Sequence, residues 1–142
     1  MVIAVGADHG GYLLKETIVS YLKKGGFDVI DVGTNSSEAV DYPIYGRKVG
    51  ELVASQEAEY GIIVCGTGIG ISIAANKVPG VRAALCTNTT MARLCREHNN
   101  ANILALGARI VGEALALDIV RTFLKGEFQG GRHARRVDMI EK

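Results

Sequence analysis

The chain has 142 residues, a length typical of one domain built around one hydrophobic core. Sixteen basic and fifteen acidic side chains leave a formal net charge of +1, so no overall positive field would attract nucleic acid. No apolar run approaches the roughly 20 residues that cross a bilayer, and the first residues do not have the pattern of a secretory leader. The three cysteines lack CxxC spacing, which favours reduced thiols over disulfides or a zinc site. We therefore expect a soluble, cytoplasmic protein that binds neither nucleic acid nor a membrane.

Apolar runs that end in Gly, Asp or Cys alternate with longer amphipathic segments, which is typical of β–α units that form a parallel sheet. In the first amphipathic segment, Leu14, Ile18 and Leu22 recur at helical spacing and predict a face that packs on the sheet. Lys15 is expected to point outward. The pattern predicts an α/β fold, a three-layer αβα sandwich with a Rossmann-like parallel sheet. The predicted strands are 2–6, 27–33, 60–65, 81–86 and 102–107, and the predicted helices are 11–24, 43–55, 69–77, 88–98 and 112–124.

A glycine-rich turn, GADHGG, follows the first predicted strand, at the sheet edge where ligands bind in open α/β folds. Asp8 and His9 in this turn suit sugar hydroxyls or proton transfer. Asp8 is also a candidate N-cap of the first helix, a role compatible with a second one. A rival interpretation is a dinucleotide turn with Asp31 as the ribose-binding acid. The glycines do not make GxGxxG, and Asp8 would place negative charge against a pyrophosphate, so the sequence disfavours that rival.

The third predicted strand ends in Cys65, which is followed by a loop of three glycines, Gly66-Thr67-Gly68-Ile69-Gly70, at the start of a helix. Backbone N–H groups and the helix dipole create positive potential there, which can hold an oxygen anion and stabilise a thiolate. Cys65 is therefore a candidate base, and Thr67 is placed to hydrogen-bond the sulfur or a substrate hydroxyl. The alternative is a buried structural cysteine before a tight turn. The glycines favour a functional role because they allow a ligand to approach the backbone closely.

His98 and Asn99 follow the fourth predicted helix and offer one titratable group beside one neutral amide. Histidine donates or accepts a proton near neutral pH, so His98 is a candidate acid–base group. The alternative is that His98 only caps the helix. The sequence leaves both open.

The segment 126–142 changes character to glycines followed by clustered Arg and His, which predicts a loop and a short helix that packs on another subunit. If this segment is helical, Arg132 and Arg136 share a face at i, i+4 spacing. Two guanidinium groups on one face suit a phosphate monoester. The alternative is a solvated charged face. A nucleic-acid patch is disfavoured because no aromatic residues are interleaved with the arginines.

Several motifs together resemble the ribose-5-phosphate isomerase B family, which includes galactose-6-phosphate isomerase subunits. They are GADHGG, DYP at 41–43, CGTGIGISIAANK at 65–77, REHNNANILALGAR and GGRHARR, and they run in register from Ile3 to about Val137. Some family members carry a carboxylate shortly after the glycine loop in place of the cysteine base. This chain has Cys65 at the family's cysteine position, so it resembles the cysteine type.

The resemblance implies an aldose–ketose isomerase of the pentose phosphate pathway that interconverts D-ribose 5-phosphate and D-ribulose 5-phosphate through a cis-enediolate, with no metal or other cofactor. It implies that Cys65 moves the proton between C2 and C1, that Thr67 assists the thiol, and that His98 opens the furanose ring. It implies that the backbone amides of Gly66, Gly68, Ile69 and Gly70 hold the enediolate oxygen. It further implies that Asp8, His9 and Asn99 bind the sugar hydroxyls, and that Arg109, Arg132 and Arg136 bind the phosphate.

The resemblance also implies a homodimer or homotetramer with each site at a subunit interface. Two alternatives stay open. One is an isomerase for a six-carbon sugar phosphate, such as allose or galactose 6-phosphate. The other is a nucleotide-binding module without catalysis.

Overall fold

Five strands and six helices alternate along the chain in the computed structural model, which describes residues 1–142. The strands are β1 (Val2–Ala7), β2 (Asp28–Asp31), β3 (Tyr60–Cys65), β4 (Ala83–Leu85) and β5 (Ile103–Gly107). The helices are α1 (Tyr12–Lys24), α2 (Tyr42–Ala54), α3 (Ile69–Asn76), α4 (Thr89–Glu97), α5 (Glu113–Lys125) and α6 (Arg132–Ile140). The predicted order of elements is confirmed, and the segment 126–142 contains the predicted short helix, α6.

The strands form one parallel sheet in the order β2-β1-β3-β5-β4. From β1 the chain moves outward to β2 and then returns to place β3 on the other side of β1. The strand order therefore reverses between β1 and β3, and the crevice at their carboxyl ends is where open α/β sheets bind ligands. This arrangement confirms the predicted fold class.

Two apolar clusters cover the two faces of the sheet and make the sandwich three layers thick. One cluster joins the sheet to α1, α4 and α5 through residues such as Ile18, Ala92 and Phe123, all fully buried. The other joins it to α2 and α3 through Val49 and Ile71. Because β3 and β5 lie inside the sheet with helices on both sides, their residues are nearly all buried, as a continuous apolar run predicts.

The edge strand β4 is shorter than the predicted 81–86. The side chain of Asn76 takes over the outer edge: its Nδ2 donates to the carbonyl of Ala83 at 3.1 Å, and its Oδ1 accepts from the N–H of Ala83 at 2.8 Å. Asn102 similarly accepts from the N–H of Arg82 at 2.8 Å. Both side chains satisfy the backbone where the ladder ends, and Asn76 also blocks further strand pairing at the outer edge.

The prediction that Lys15 points outward is wrong. Lys15 is fully buried, and its Nζ lies 2.8 Å from a carboxylate oxygen of Asp31 and 2.8 Å from one of Glu16. Burial lowers the pKa of Lys15, but the hydrogen bonds and charges of Asp31 and Glu16 outweigh it and leave the pKa raised. The ion pair between Lys15 and Asp31 therefore connects α1 to the end of β2.

The segment after α5 folds back on its own chain. The N–H of Gln129 donates to the carbonyl of Glu97 at 3.0 Å, and Glu141 forms an ion pair with Arg82 at 2.7 Å. These contacts place α6 beside the amino ends of the strands. No helix in the chain combines the length and hydropathy that a membrane span needs.

Candidate active site

The turn after β1 and the loop after β3 pack directly on each other at the carboxyl edge of the sheet. A Cβ atom on Gly10 would lie 3.3 Å from the amide nitrogen of Gly66, so the two backbones nearly touch. A Cβ on Gly107, at the end of β5, would overlap the carbonyl of Thr67. The two glycines let three strand ends converge on one loop.

Cys65 ends β3 with 5% of its surface exposed, and its sulfur accepts a hydrogen bond from the N–H of Gly68 at 3.1 Å. Gly68 adopts φ +80°, and a Cβ there would lie 2.5 Å from a methyl group of Leu85, so this donor position requires glycine. An N–H directed at sulfur stabilises negative charge on it. The Thr67 hydroxyl oxygen accepts from the N–H of Ile69 at 3.2 Å, so its hydrogen stays available to the sulfur or to a substrate oxygen, the two partners that the sequence suggested.

The amides of Gly68 and Ile69, which the sequence predicted to bind the substrate oxygen, are thus occupied within the loop, whereas its remaining amides are available to a ligand. The N–H groups of Gly66, Thr67 and Gly70 have no acceptor within the protein. They lie at or just before the first turn of α3, where the helix dipole adds positive potential. The arrangement can hold an oxygen anion next to the Cys65 sulfur.

Asp8 and His9 each use one side-chain atom to build the turn and keep another free. Asp8 is buried, and its Oδ1 accepts from the N–H of Gly11 at 3.1 Å, which leaves Oδ2 open. The expectation that Asp8 is the N-cap of α1 is wrong, because Gly11 is the cap residue and Asp8 only accepts from its N–H. His9 Nδ1 accepts from the N–H of Val40 at 3.1 Å, so Nε2 is the nitrogen that donates when the ring is neutral. Each residue therefore retains one atom for a ligand.

Arg109 follows β5 and reaches the same edge. Its backbone N–H donates to the carbonyl of Gly66 at 2.9 Å, and its side chain runs beside Gly66. Arg109 and His9 both line a cavity of about 390 Å³ between the start of α1 and the segment that leads into α5. A guanidinium and an imidazole at one cavity can hold an anionic group.

The carboxylate of Asp31 is committed to structure. It bonds Lys15 through both oxygens, at 2.9 and 2.8 Å, and accepts from the N–H of Gly33 at 2.9 Å. A ribose-binding acid of a dinucleotide fold needs a free carboxylate at this position, so these contacts disfavour the dinucleotide interpretation.

The other predicted site residues form a second group beside α6. His98 is the C-cap of α4, and its ring stacks on that of His133 with 4.2 Å between the centroids and 7° between the planes. Burial lowers the pKa of His133, and the charges of His98, Arg132 and Arg136 lower it further. Asn99, Arg132 and Arg136 are exposed. This group combines one acid–base side chain with two free cations.

One chain does not bring the two groups together. Arg96, two residues before His98, donates to the hydroxyl of Tyr60 at 2.8 Å, and Tyr60 is the first residue of β3 whereas Cys65 is the last. At the usual rise of a strand, those residues lie roughly 17 Å apart. Cys65 and Arg109 therefore sit at the carboxyl edge, and His98 sits at the amino edge.

Sequence reasoning missed Arg96, which is 4% exposed and holds the turn that carries His98 and Asn99. Its guanidinium donates to the side chain of Asn100 at 3.0 Å and to the carbonyl of Ala101 at 2.6 Å. One signal pointed to its burial, since Arg96 follows Ala92 by four residues on the inner face of α4. No group of three or more His, Cys, Asp or Glu side chains is placed to hold a metal ion.

Comparison with known proteins gives one consistent result. The family described as Ribose/Galactose Isomerase matches residues 3–140. Ribose-5-phosphate isomerase B of Escherichia coli is 51% identical over 97% of this chain and 93% of its own length. The solved structure of the Clostridium thermocellum ribose-5-phosphate isomerase B has a TM-score of 0.99 and 65% identity, covering 99% of this chain and 95% of that one. The Mycoplasma genitalium ribose-5-phosphate isomerase B, solved with bound ribulose-5-phosphate, has a TM-score of 0.95 and 43% identity, with coverages of 99% and 93%.

Proposed function

The chain belongs to the ribose/galactose isomerase family and is an isomerase of the ribose-5-phosphate isomerase B type, and from this membership we propose how it interconverts D-ribose 5-phosphate and D-ribulose 5-phosphate. Cys65 is the base, the intermediate is a cis-enediolate, and the reaction serves the pentose phosphate pathway. The observation that carries the proposal is the Cys65 sulfur at the end of β3, with the Gly68 N–H directed at it and unpaired amides beside it.

In the proton-transfer step, the Cys65 thiolate removes the C2 proton of the open-chain aldose, and the electron pair moves onto the carbonyl oxygen at C1. The Cys65 thiol then returns the proton to C1, and the proton of the C2 hydroxyl passes to the negative oxygen at C1, so that C2 becomes the ketone and C1 carries the hydroxyl. The free amides of Gly66, Thr67 and Gly70 hold the negative oxygen of the enediolate. The hydroxyl of Thr67 keeps its hydrogen to donate towards the sulfur or a substrate oxygen.

The ring-opening step belongs to His98. A cyclic furanose hides the carbonyl, so the C2 proton becomes acidic only after a proton transfer breaks the ring C–O bond. Asp8, His9 and Asn99 bind the sugar hydroxyls, and Arg109, Arg132 and Arg136 bind the phosphate. Arg132 and Arg136 share one face of α6, which suits a phosphate dianion.

We further propose a dimer in which each site combines the carboxyl edge of one chain with the amino edge of its partner. The separation of Cys65 from His98 within one chain leaves each half incomplete. Ile69 and Ile73, at i, i+4 positions of α3 directly after the Cys65 loop, are 52% and 56% exposed and form an apolar face that a second subunit would cover. The segment 126–142 extends this interface.

The experiment is a comparison of kcat/KM for ribose 5-phosphate, allose 6-phosphate and galactose 6-phosphate on the purified protein. We expect the pentose phosphate to be the best substrate, and a higher value for either hexose phosphate would overturn the choice of sugar. Thermal stabilisation by NAD or ATP, with none by ribose 5-phosphate, would instead support the nucleotide-binding alternative.

A further inference from the structure

His133 is the second residue of α6, and its ring is turned away from solvent, with 7% of the residue exposed. The ring stacks face to face on His98. Val137, one helical turn later, is the other buried residue of α6, whereas Arg132 and Arg136 are exposed. His133 therefore docks α6 against the end of α4, and it does so on the side chain that opens the sugar ring.

We propose that His133 is a positioning residue for ring opening, because its flat face fixes the plane of the His98 imidazole. This inference rests on the proposed function. His133 does not contact the reacting atoms and acts only through His98.

The orientation of His98 depends on packing. Its backbone N–H is used inside α4, where it donates to the carbonyl of Leu94 at 2.8 Å, but no protein group hydrogen-bonds its ring. The turn that follows is tight, since Asn100 has φ +48°. With a 4.2 Å separation and nearly parallel planes, His133 supplies the surface that limits rotation of the His98 ring. Proton transfer is sensitive to such orientation because donor and acceptor must be aligned.

Burial and the neighbouring charges favour the neutral form of His133. Burial lowers the pKa of His133, and so do His98 on α4 and Arg132 and Arg136 on its own helix. Two stacked imidazolium rings would repel each other. The pKa of His133 therefore lies below that of an ordinary histidine, which favours a packing role for this ring beside His98.

The test compares two reactions in two variants. His133→Ala should lower kcat for ribose 5-phosphate on the order of ten-fold, since the ring loses its platform. Exchange of the C1 proton of ribulose 5-phosphate with D2O should stay within about two-fold of wild type, because the ketose reaches the base already open. His133→Phe keeps a flat ring and should recover aldose turnover to within about three-fold of wild type. Arg135→Ala, on the exposed side of the same helix, is the control and should change neither rate.

Equal losses of aldose turnover and ketose exchange in His133→Ala would overturn the inference, since they would mean that α6 supports the whole site. A His133→Phe variant no better than His133→Ala would also overturn it. His98→Asn, measured in parallel, separates the two levels of the proposal. If His98→Asn slows aldose turnover selectively but His133→Ala does not, only the role of His133 fails; if His98→Asn has no selective effect, the proposed ring-opening role of His98 fails.

Discussion

The three cysteines of the chain differ in what surrounds their sulfur atoms. Cys65 receives the N–H of Gly68 beside three free amides, whereas Cys86 and Cys95 lie in the core with their sulfurs 4.0 Å apart. The hydrogen bond to Cys95, together with burial, raises the pKa of Cys86, which keeps it a neutral thiol. Cys86 also directly follows a strand, so the N–H groups around the sulfur, rather than position at a strand end, make Cys65 the candidate base.

Replacing Cys65 by Ala should lower kcat on the order of a thousand-fold, because the proton-transfer step loses its base. Cys86→Ala is the matched control. It should keep kcat within about three-fold of wild type and cost on the order of 1 kcal/mol of stability through lost packing. Steady-state kinetics and urea unfolding measure both effects. A Cys65→Ala enzyme with wild-type turnover would exclude Cys65 as the base.

Among the secondary-structure elements, the join between α1 and β2 depends on one buried cation. Lys15 bonds both oxygens of Asp31, and Asp31 in turn holds the N–H of Gly33. The loop that starts there ends near Val40, whose N–H donates to His9. The ion pair therefore supports the loop that contacts His9, a residue proposed to bind the substrate.

Lys15→Met should lower the free energy of unfolding by about 2 kcal/mol at pH 7, because Asp31 loses its partner. The pKa of Lys15 is raised above its ordinary 10.5, so its stabilisation is complete below that pH and is lost as pH rises through the folded-state value. The difference in free energy of unfolding between wild type and Lys15→Met should therefore be smaller at pH 11 than at pH 7. Lys23→Met, at an exposed position of the same helix, is the control for urea unfolding at both pH values. A difference in free energy of unfolding that is the same at both pH values would contradict this account.

The elements themselves could be predicted because apolar runs and amphipathic segments alternate with little interruption. The burial of Lys15 could not be predicted, because a lysine in an amphipathic helix is expected at the surface. Its partner Asp31 comes close only when β1 and β2 pair. The Cys65 loop was predictable from glycines at a strand end. The stack of His98 on His133 could not be predicted, because it joins the ends of two helices that are separated in sequence by β5, α5 and their loops.

For the molecule as a whole, the sheet divides the predicted site into two halves at opposite edges. Cys65 and Arg109 belong to one half, and His98 and the arginines of α6 belong to the other. A dimer that places the two edges against each other would complete two equivalent sites, as a two-fold axis requires.

Mixed dimers test this arrangement. When Cys65→Ala and His98→Asn chains are unfolded together and refolded as an equal mixture, half of the dimers should contain one of each, with one complete site. We expect about one quarter of wild-type kcat from the mixture, although each variant alone has little. Wild type carried through the same procedure is the control. If each site lay within one chain, no mixed dimer would have a complete site, and the mixture would stay inactive.

The division of labour between Cys65 and His98 is tested most directly by NMR of ribulose 5-phosphate in D2O. Ribulose 5-phosphate cannot close into a furanose, since its 5-position carries the phosphate, so it needs Cys65 but not ring opening. In His98→Asn, exchange of the C1 proton with solvent deuterium should persist while formation of ribose 5-phosphate is slow. In Cys65→Ala, both should be lost. If the two variants lose exchange equally, His98 takes part in the proton transfer itself and the assignment of roles is wrong.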